Sequence, residues 1–184
     1  MKKINLNNME NIIGLKVKKL YEDVPTPKYA TNGSAGLDLT AMSRMYDKNG
    51  NVCYGTGIAV EIPEGYVGLL FTRSSITKKD IFVKNSVGVI DSDYRGEIIL
   101  KCAPCLGYGD LFDIDKNENF RYGVDKDQDY FEDIDYLIGC HQNYEIGDKC
   151  CQLVIVPIPK VVIHLVDELS ETERGAGGYG HTGK

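Results

Sequence analysis

The chain has 184 residues, 42% of them hydrophobic and 26% charged, and its net charge is −6. This length suffices for one domain with a hydrophobic core, and the negative charge argues against direct nucleic-acid binding. The sequence has no run of eighteen apolar residues and no secretory signal, so we expect a cytoplasmic protein without a membrane span, whose six cysteines are free thiols.

Short apolar runs predict an all-β domain with a single short helix. The runs are rich in Val, Ile and Tyr, and turn-forming Pro, Gly and Asn residues separate them. Long helical periodicity is absent, and the one helix is expected at about residues 75–79. The spacing of the strands is typical of a barrel or a sandwich. The clearest strands are predicted at residues 15–20, 58–62, 66–71, 98–100 and 153–156.

Two early segments carry polar side chains that suit a binding site. Asp38 interrupts the apolar run at residues 35–39, and an inward-facing Asp usually forms a salt bridge. Arg73, Ser74 and Ser75 follow a later apolar run and would begin the short helix. An arginine, two hydroxyls and a helix N-terminus together favour an anion, although Ser also simply caps helices.

A Gly-bounded acidic stretch at residues 88–96 separates two strand-like runs, 81–83 and 98–100. This arrangement predicts a β-hairpin whose turn exposes backbone N–H and C=O groups. Such groups can bind the polar edge of a flat ligand, and Asp91 and Tyr94 would point towards that ligand. A solvated hairpin with incidental acidic residues is the alternative.

Residues 105–144 are acidic and rich in Tyr, with ten Asp or Glu against three Lys or Arg. We expect a surface insertion here. A calcium loop is a poorer interpretation, because Tyr130 stands where the loop needs Gly and Tyr136 where it needs Glu. A zinc site is a weak alternative, since it would rest on one Cys-x₂-Cys pair. Its ligands would be Cys102, Cys105, Cys140 and His141.

The last segment, residues 174–184, holds five glycines and almost no apolar side chain. We expect a mobile lid, because such a segment cannot fold on itself and its glycines let backbone N–H groups wrap around phosphate. Tyr179 offers a ring for stacking on a base. A Walker loop is excluded because His181 follows Gly180, where a Lys and then Ser or Thr should stand.

In this order, five segments resemble the five motifs of the trimeric dUTPases. They are residues 35–39, 73–75, 88–96, 147–153 and 174–183. The resemblance implies a homotrimer of jelly-roll-like β-barrels of the dUTPase β-clip type, with three active sites at subunit interfaces. It also implies hydrolysis of dUTP to dUMP and pyrophosphate, with the tail of one subunit closing over the site of another. The family domain would span residues 12–184, after an N-terminal extension at residues 1–11.

The resemblance also implies roles for individual residues. Asp91 would activate the water that attacks the α-phosphorus, and Tyr94 would pack against the deoxyribose. Mg²⁺ would be held mainly by substrate phosphates and waters, with Asp38 as an indirect contact. Uracil would be bound by Asn85, Gly88 and Ile90, with Tyr179 stacked over it. Phosphate would be bound by Arg73, Ser74, Ser75, Gln152 and Arg174, and the closed lid would add Gly178, Thr182 and Gly183.

Two further interpretations accompany this resemblance. A dCTP deaminase shares the fold and the Arg-Ser-Ser segment, but Lys101 stands where that family carries a Glu as proton shuttle, so we reject deamination. The insertion at residues 105–144 resembles that of dUTPases encoded by phages of Gram-positive bacteria, some of which bind a repressor of mobile genetic islands. This predicts a second, repressor-binding role, with a solvated decorative loop as the alternative.

A few positions depart from the family motifs. His181 replaces a usual Ser, which removes one hydroxyl donor to phosphate or substitutes an imidazole for it. Cys150 and Cys151 stand where small apolar residues are usual. Buried free thiols would behave as small hydrophobic groups at these positions.

Overall fold

The computed structural model describes residues 12–104 and 143–178, and these residues are almost entirely β-structure. One short 3₁₀ helix, Ser74–Lys78, lies close to the predicted position, so the prediction of an all-β fold with one short helix is confirmed. No helix in this described part is long and apolar enough to cross a membrane. The strands are β1 (Lys16–Lys19), β2 (Lys28–Tyr29), β3 (Leu37–Thr40), β4 (Ser43–Tyr46), β5 (Val52–Gly55), β6 (Ile58–Glu61), β7 (Tyr66–Thr72), β8 (Ile81–Val83), β9 (Gly88–Ile90), β10 (Ile99–Pro104) and β11 (Lys149–Pro157).

The strands form three open antiparallel sheets that share one core. The strand orders are β2-β3-β11-β7-β9, β4-β5-β10-β8 and β1-β6. The core cluster takes Leu39 and Leu153 from the five-stranded sheet, Tyr54 and Leu100 from the four-stranded sheet, and Val60 from the pair. Burial of these side chains stabilises the fold by about 1.5–3 kcal/mol each. The predicted barrel is therefore present as sheets around a common core, without closure into one hydrogen-bonded cylinder among the described strands.

Residues 88–96 differ from the predicted turn. The flanking strands β8 and β10 do pair antiparallel, with Cys102 opposite Val83. Between them, however, Gly88–Ile90 forms β9 and pairs with β7 in the five-stranded sheet. The chain thus leaves one sheet, adds an edge strand to another and returns. Two β-branched residues, Val89 and Ile90, favour this extended backbone, whereas the Gly and Asp residues dominate the turn signal.

The two adjacent cysteines lie in the core, as expected. Cys150 and Cys151 are both 0% exposed, and their sulfur atoms are 3.7 Å apart. Consecutive residues of a regular strand face opposite sides. The pairing register of β11 with β3 shifts between Lys149 and Cys151, and this bulge lets both thiols turn inward.

Candidate active site

A buried carboxylate joins two of the predicted binding segments. The side chain of Asp38 on β3 is 7% exposed, and its Oδ1 lies 2.9 Å from Nε of Arg73. Its Oδ2 lies 2.9 Å from Nζ of Lys149 at the start of β11. The predicted salt bridge of Asp38 is confirmed, and it holds two cations together that would otherwise repel each other. Lys149 was missed by the sequence analysis, which gave no role to a lysine in this turn.

Gln152 lies beside Asp38 in the five-stranded sheet. Gln152 stands opposite Asp38 on β3 and opposite Phe71 on β7. Its Nε2 donates a hydrogen bond of 3.0 Å to the carbonyl of Thr72, the residue before Arg73. The predicted phosphate donor therefore bonds to the protein backbone at the point where β7 ends.

A cavity of about 320 Å³ opens beside this cluster. Four of its seven lining residues are cationic and one is acidic, which favours an anionic ligand. Ser75 contributes a hydroxyl from the 3₁₀ helix, while Ser74 is exposed at the helix start. The lining residues are Arg73, Ser75, Lys78, Lys79, Tyr144, Asp148 and Lys149.

Two residues assigned to the acidic insertion belong to the core. Asn143 is 8% exposed and Tyr144 is 1% exposed, so the insertion as predicted at 105–144 overlaps the core at its end. The Tyr144 ring packs edge-on against Tyr54, with ring centroids 5.7 Å apart. Its backbone N–H donates to the Tyr54 hydroxyl at 3.2 Å. Burial raises the pKa of the Tyr144 phenol, which keeps it protonated.

The loop that follows β9 is held by its own hydrogen bonds. The N–H of Tyr94 donates to the carbonyl of Asp91 at 3.2 Å, and its hydroxyl donates to the carbonyl of Glu97 at 3.0 Å. Glu97 anchors the loop to the β5–β6 turn, because its Oε1 accepts the N–H of Gly57 at 2.7 Å. A Cβ on Gly96 would collide with the Tyr94 ring, so a larger residue at this position would displace that ring. Asp91 is exposed at its start.

The residues predicted to bind a base lie just before this loop. Gly88 is buried in β9, and a Cβ built on it would lie 3.2 Å from Cβ of Leu70 and 3.6 Å from Nδ2 of Asn85. Ile90 ends the same strand. Asn85 thus lies close to Gly88 beside the edge strand that Ile90 ends, and binding of a base by these residues stays a prediction.

Strand register separates Asp91 from the ion cluster of Asp38, Arg73 and Lys149 within one chain. β9 runs antiparallel to β7, with Gly88 opposite Leu70 and Ile90 opposite Gly68. Asp91 therefore leaves the sheet at the level of Val67, whereas Arg73 follows the opposite end of β7. At about 3.4 Å per residue, the two positions are about 20 Å apart along the strand. One chain brings Asp38, Arg73 and Lys149 together, but Asp91 does not join them.

The tail is described as far as Gly178. Arg174 is exposed, and its Nε donates to the carbonyl of Gly177 at 2.8 Å. The predicted lid residues Tyr179, Thr182 and Gly183 lie outside the described residues. The same holds for residues 1–11 and 105–142, which include most of the predicted insertion and the proposed calcium and zinc ligands other than Cys102.

No group of three or more His, Cys, Asp or Glu side chains that could hold a metal ion occurs at residues 12–104 or 143–178. Both oxygens of Asp38 already face cations. Cys102 is fully buried, and burial raises the pKa of its thiol to about 12, so this thiol is protonated in the core. Lys101, at the position where a deaminase would carry Glu, forms a 2.6 Å ion pair with Asp47.

Known proteins resemble this chain over nearly its whole length. The family model described as dUTPase matches residues 22–103. A deoxyuridine 5′-triphosphate nucleotidohydrolase of Hydrogenobaculum is 37% identical over 175 residues, which cover 92% of this chain and 97% of that protein. The corresponding protein of Nautilia profundicola is 37% identical over 172 residues, covering 92% and 99%.

Solved structures give the same result. A mutant dUTPase of Staphylococcus bacteriophage 80alpha with dUpNHpp superposes with a TM-score of 0.68 and is 26% identical, covering 93% of this chain and 99% of that one. A mutant dUTPase of phage phi11, described with a structural Mg(II) ion, gives a TM-score of 0.60 at 26% identity, covering 85% and 98%. Sequence and structure together show that the chain belongs to the dUTPase family.

Proposed function

We propose that the chain hydrolyses dUTP to dUMP and pyrophosphate, in keeping with relatives that are named deoxyuridine 5′-triphosphate nucleotidohydrolases. The observation that carries the proposal is the buried Asp38, which fixes Arg73 and Lys149 beside a basic cavity. Arg73, with the hydroxyls of Ser74 and Ser75, would bind the phosphate chain. Lys149 adds positive charge behind Arg73, and charge-assisted hydrogen bonds to phosphate are the stronger kind.

Asp91 would act as the general base. Its carboxylate orients a water molecule and takes the proton as the water oxygen bonds to the α-phosphorus. The bond from that phosphorus to the bridging oxygen breaks, and pyrophosphate leaves with the bridging oxygen and the bonding pair. The exposed position of Asp91 on a hydrogen-bonded loop supports this role.

Base and sugar would be selected by the edge of the five-stranded sheet. Asn85, Gly88 and Ile90 form a continuous patch that would bind uracil, and Tyr94 would pack against the deoxyribose and leave no room for a 2′-hydroxyl. The hydrogen bond from Tyr94 to Glu97 holds the ring in place. Gln152 would bind phosphate through its side-chain amide, which in this structure donates to the carbonyl of Thr72.

Magnesium fits this site as an ion held by the substrate. Both oxygens of Asp38 bind cationic side chains, so Asp38 suits an indirect contact through water better than a direct one. Mg²⁺ would therefore be held by phosphate oxygens and water, and when bound it neutralises phosphate charge. A mutant dUTPase of phage phi11 is described with a structural Mg(II) ion, so a relative of this chain binds magnesium.

The site would be completed between chains of a homotrimer. The separation of about 20 Å between Asp91 and Arg73 along β7 is too long for one dUTP to span with its reacting atoms, so another chain must supply one of them. The segment after β11 also exposes large apolar side chains: Ile163, Leu165 and Leu169 are 82%, 95% and 88% exposed. A second copy would cover them, since exposed apolar stretches mark interaction surfaces. The tail would then bring Arg174, Gly178 and Tyr179, followed by Thr182 and Gly183, over the neighbouring site.

Mixing two inactive variants tests the enzyme and its assembly together. Asp91→Asn and Arg73→Gln should each lose at least 100-fold in dUTP turnover, measured as pyrophosphate release. Both should fold, because Asp38 keeps Lys149 as a partner when Arg73 is replaced. After co-refolding at equal amounts, about a quarter of the interfaces should carry an intact Asp91 facing an intact Arg73.

Each variant refolded alone is the control and should stay inactive. Recovered turnover in the mixture supports a shared site. A mixture as inactive as its parts would contradict the interchain site, and full activity of Asp91→Asn would remove the proposed base. Uridine product formed from dCTP would instead favour the deaminase, against which the Lys101–Asp47 ion pair argues.

We propose as a second role that the insertion binds a repressor, in the cytoplasm of the host cell if a phage encodes the chain, and one structural comparison supports a regulatory role of this kind. A phage 80alpha dUTPase with TM-score 0.68 is described as controlling transfer of virulence genes. Deleting residues 108–138 should leave dUTP hydrolysis largely intact and abolish capture of a repressor from host lysate, with and without dUpNHpp. A deletion variant that loses its trimer would mean that the segment is structural, and one that still captures the repressor would place binding elsewhere.

A further inference from the structure

The phenol of Tyr144 lies next to the proposed phosphate-binding hydroxyl. Its oxygen is 3.1 Å from Oγ of Ser75, and both residues line the same basic cavity. We propose that Tyr144 is a positioning residue that donates a hydrogen bond to Ser75 and so aims the Ser75 hydroxyl at the phosphate chain. This inference rests on the proposed function and adds a residue to it that lies outside the five motifs.

The chemistry of phosphate fixes the direction of this hydrogen bond. Ionised phosphate oxygens only accept, so Ser75 must donate its single proton to bind them. Its oxygen must then accept the hydrogen bond from Tyr144. Burial raises the pKa of the Tyr144 phenol, which leaves the donor proton in place across the neutral and mildly alkaline range. The two hydroxyls therefore form a chain of hydrogen bonds in which Tyr144 donates to Ser75 and Ser75 donates to phosphate.

Packing on two sides prevents the Tyr144 ring from turning away. The ring packs edge-on against the Tyr54 ring, while the hydrogen bond from the Tyr144 backbone N–H to the Tyr54 hydroxyl fixes the main chain. On another side, Nζ of Lys79 lies 5.2 Å from the ring centroid and donates to the carbonyl of Asn143 at 2.7 Å. The donor is thus built into the core, whereas Ser75 sits on a five-residue helix that lacks a side-chain cap. The hydrogen bond to the buried Tyr144 therefore holds Ser75 in place where the short helix alone would not.

Kinetics of Tyr144→Phe test the proposal, because phenylalanine keeps the ring and removes only the hydroxyl. The KM for dUTP should rise about fivefold with kcat little changed, as loss of one neutral hydrogen bond predicts. Ser75→Ala should give a similar rise. The double variant should be no worse than Ser75→Ala alone, since the two residues act through one hydrogen bond.

Tyr54→Phe is the matched control. It keeps the ring that packs edge-on against Tyr144 and removes only the hydroxyl that accepts the Tyr144 backbone N–H, and Tyr54 does not line the cavity, so it should lower the unfolding temperature and leave KM unchanged. Additive effects in the double variant, or an unchanged KM in Tyr144→Phe, would overturn the positioning role. An unchanged KM in Ser75→Ala would count against the phosphate role of Ser75 in the proposed function itself. Thermal unfolding of every variant shows that each one folds.

Discussion

Replacing Asp38 with Asn probes the buried ion cluster. The Asp38 side chain is 7% exposed and faces Arg73 and Lys149, each at 2.9 Å. The substitution keeps the shape but removes the charge, so two cations face each other across a neutral amide. Uncoupling a fully buried ion pair costs about 3–5 kcal/mol. The cations are 32% and 41% exposed, and water therefore screens them and lowers the expected cost to about 2 kcal/mol.

Thermal unfolding followed by circular dichroism measures this loss. For a domain of this size, 1 kcal/mol corresponds to about 2–4 °C, so Asp38→Asn should lower Tm by about 4–8 °C. The control is Glu61→Gln, which breaks the 2.6 Å pair with Lys16, whose side chains are 44% and 78% exposed. That pair is shorter, yet its loss should change Tm by about 1–2 °C, because an exposed pair contributes only about 0.5 kcal/mol.

Comparing the two variants shows whether the burial of an ion pair or its N···O distance determines how much it stabilises the fold. If Glu61→Gln lost as much stability as Asp38→Asn, the argument from burial would be wrong. An unchanged Tm in Asp38→Asn would show that the cluster contributes nothing to folding. Turnover of dUTP, measured in parallel at saturating and limiting substrate, should fall as well, because Arg73 loses the partner that orients its guanidinium.

Two further predictions address the tail and the pH dependence. Ending the chain before Arg174 should reduce dUTP turnover about 100-fold without changing Tm, because the described tail residues are exposed; an unchanged rate would contradict the lid. Hydrogen bonds from Asn51 and Lys101 hold the pKa of Asp47 well below its ordinary 3.8. The ionised Asp47 therefore contributes fully to the free energy of unfolding above pH 3.8. This contribution is lost as the pH falls towards the lower pKa of the folded state. The gap in urea midpoint between wild type and Asp47→Asn should be full at pH 6 and shrink at pH 2, and a constant gap would refute this.

Sequence patterns predicted the parts of the fold that depend on local chemistry. The strand at 66–71 was predicted because apolar residues fill it, and β7 is Tyr66–Thr72. The salt bridge of Asp38 follows from the cost of burying an unpaired carboxylate. Its second partner, Lys149, is 111 residues away and could not be identified, because that contact depends on the register between β3 and β11.

The strand at residues 88–90 and the burial of Tyr144 were not predicted from the sequence, because contacts between distant parts of the chain determine both. Residues 88–90 carry turn residues on both sides, and pairing with the free edge of β7 completes the strand that Val89 and Ile90 favour. Tyr144 follows a long acidic segment, so composition assigned it to the insertion. Its burial comes from Tyr54, which is 90 residues earlier in the chain. Boundaries between segments of different composition are thus predicted least well from sequence patterns.

The bulge in β11 explains how one strand serves both the core and the site. Leu153 and Cys151 face the core, and regular alternation would then turn Lys149 inward and Cys150 outward. The register shift reverses these two residues. Cys150 enters the core, and Lys149 turns to the face that carries Asp38. A single extra residue in the strand thereby places the cation beside the buried carboxylate, so the ion cluster of the proposed phosphate site depends on the bulge.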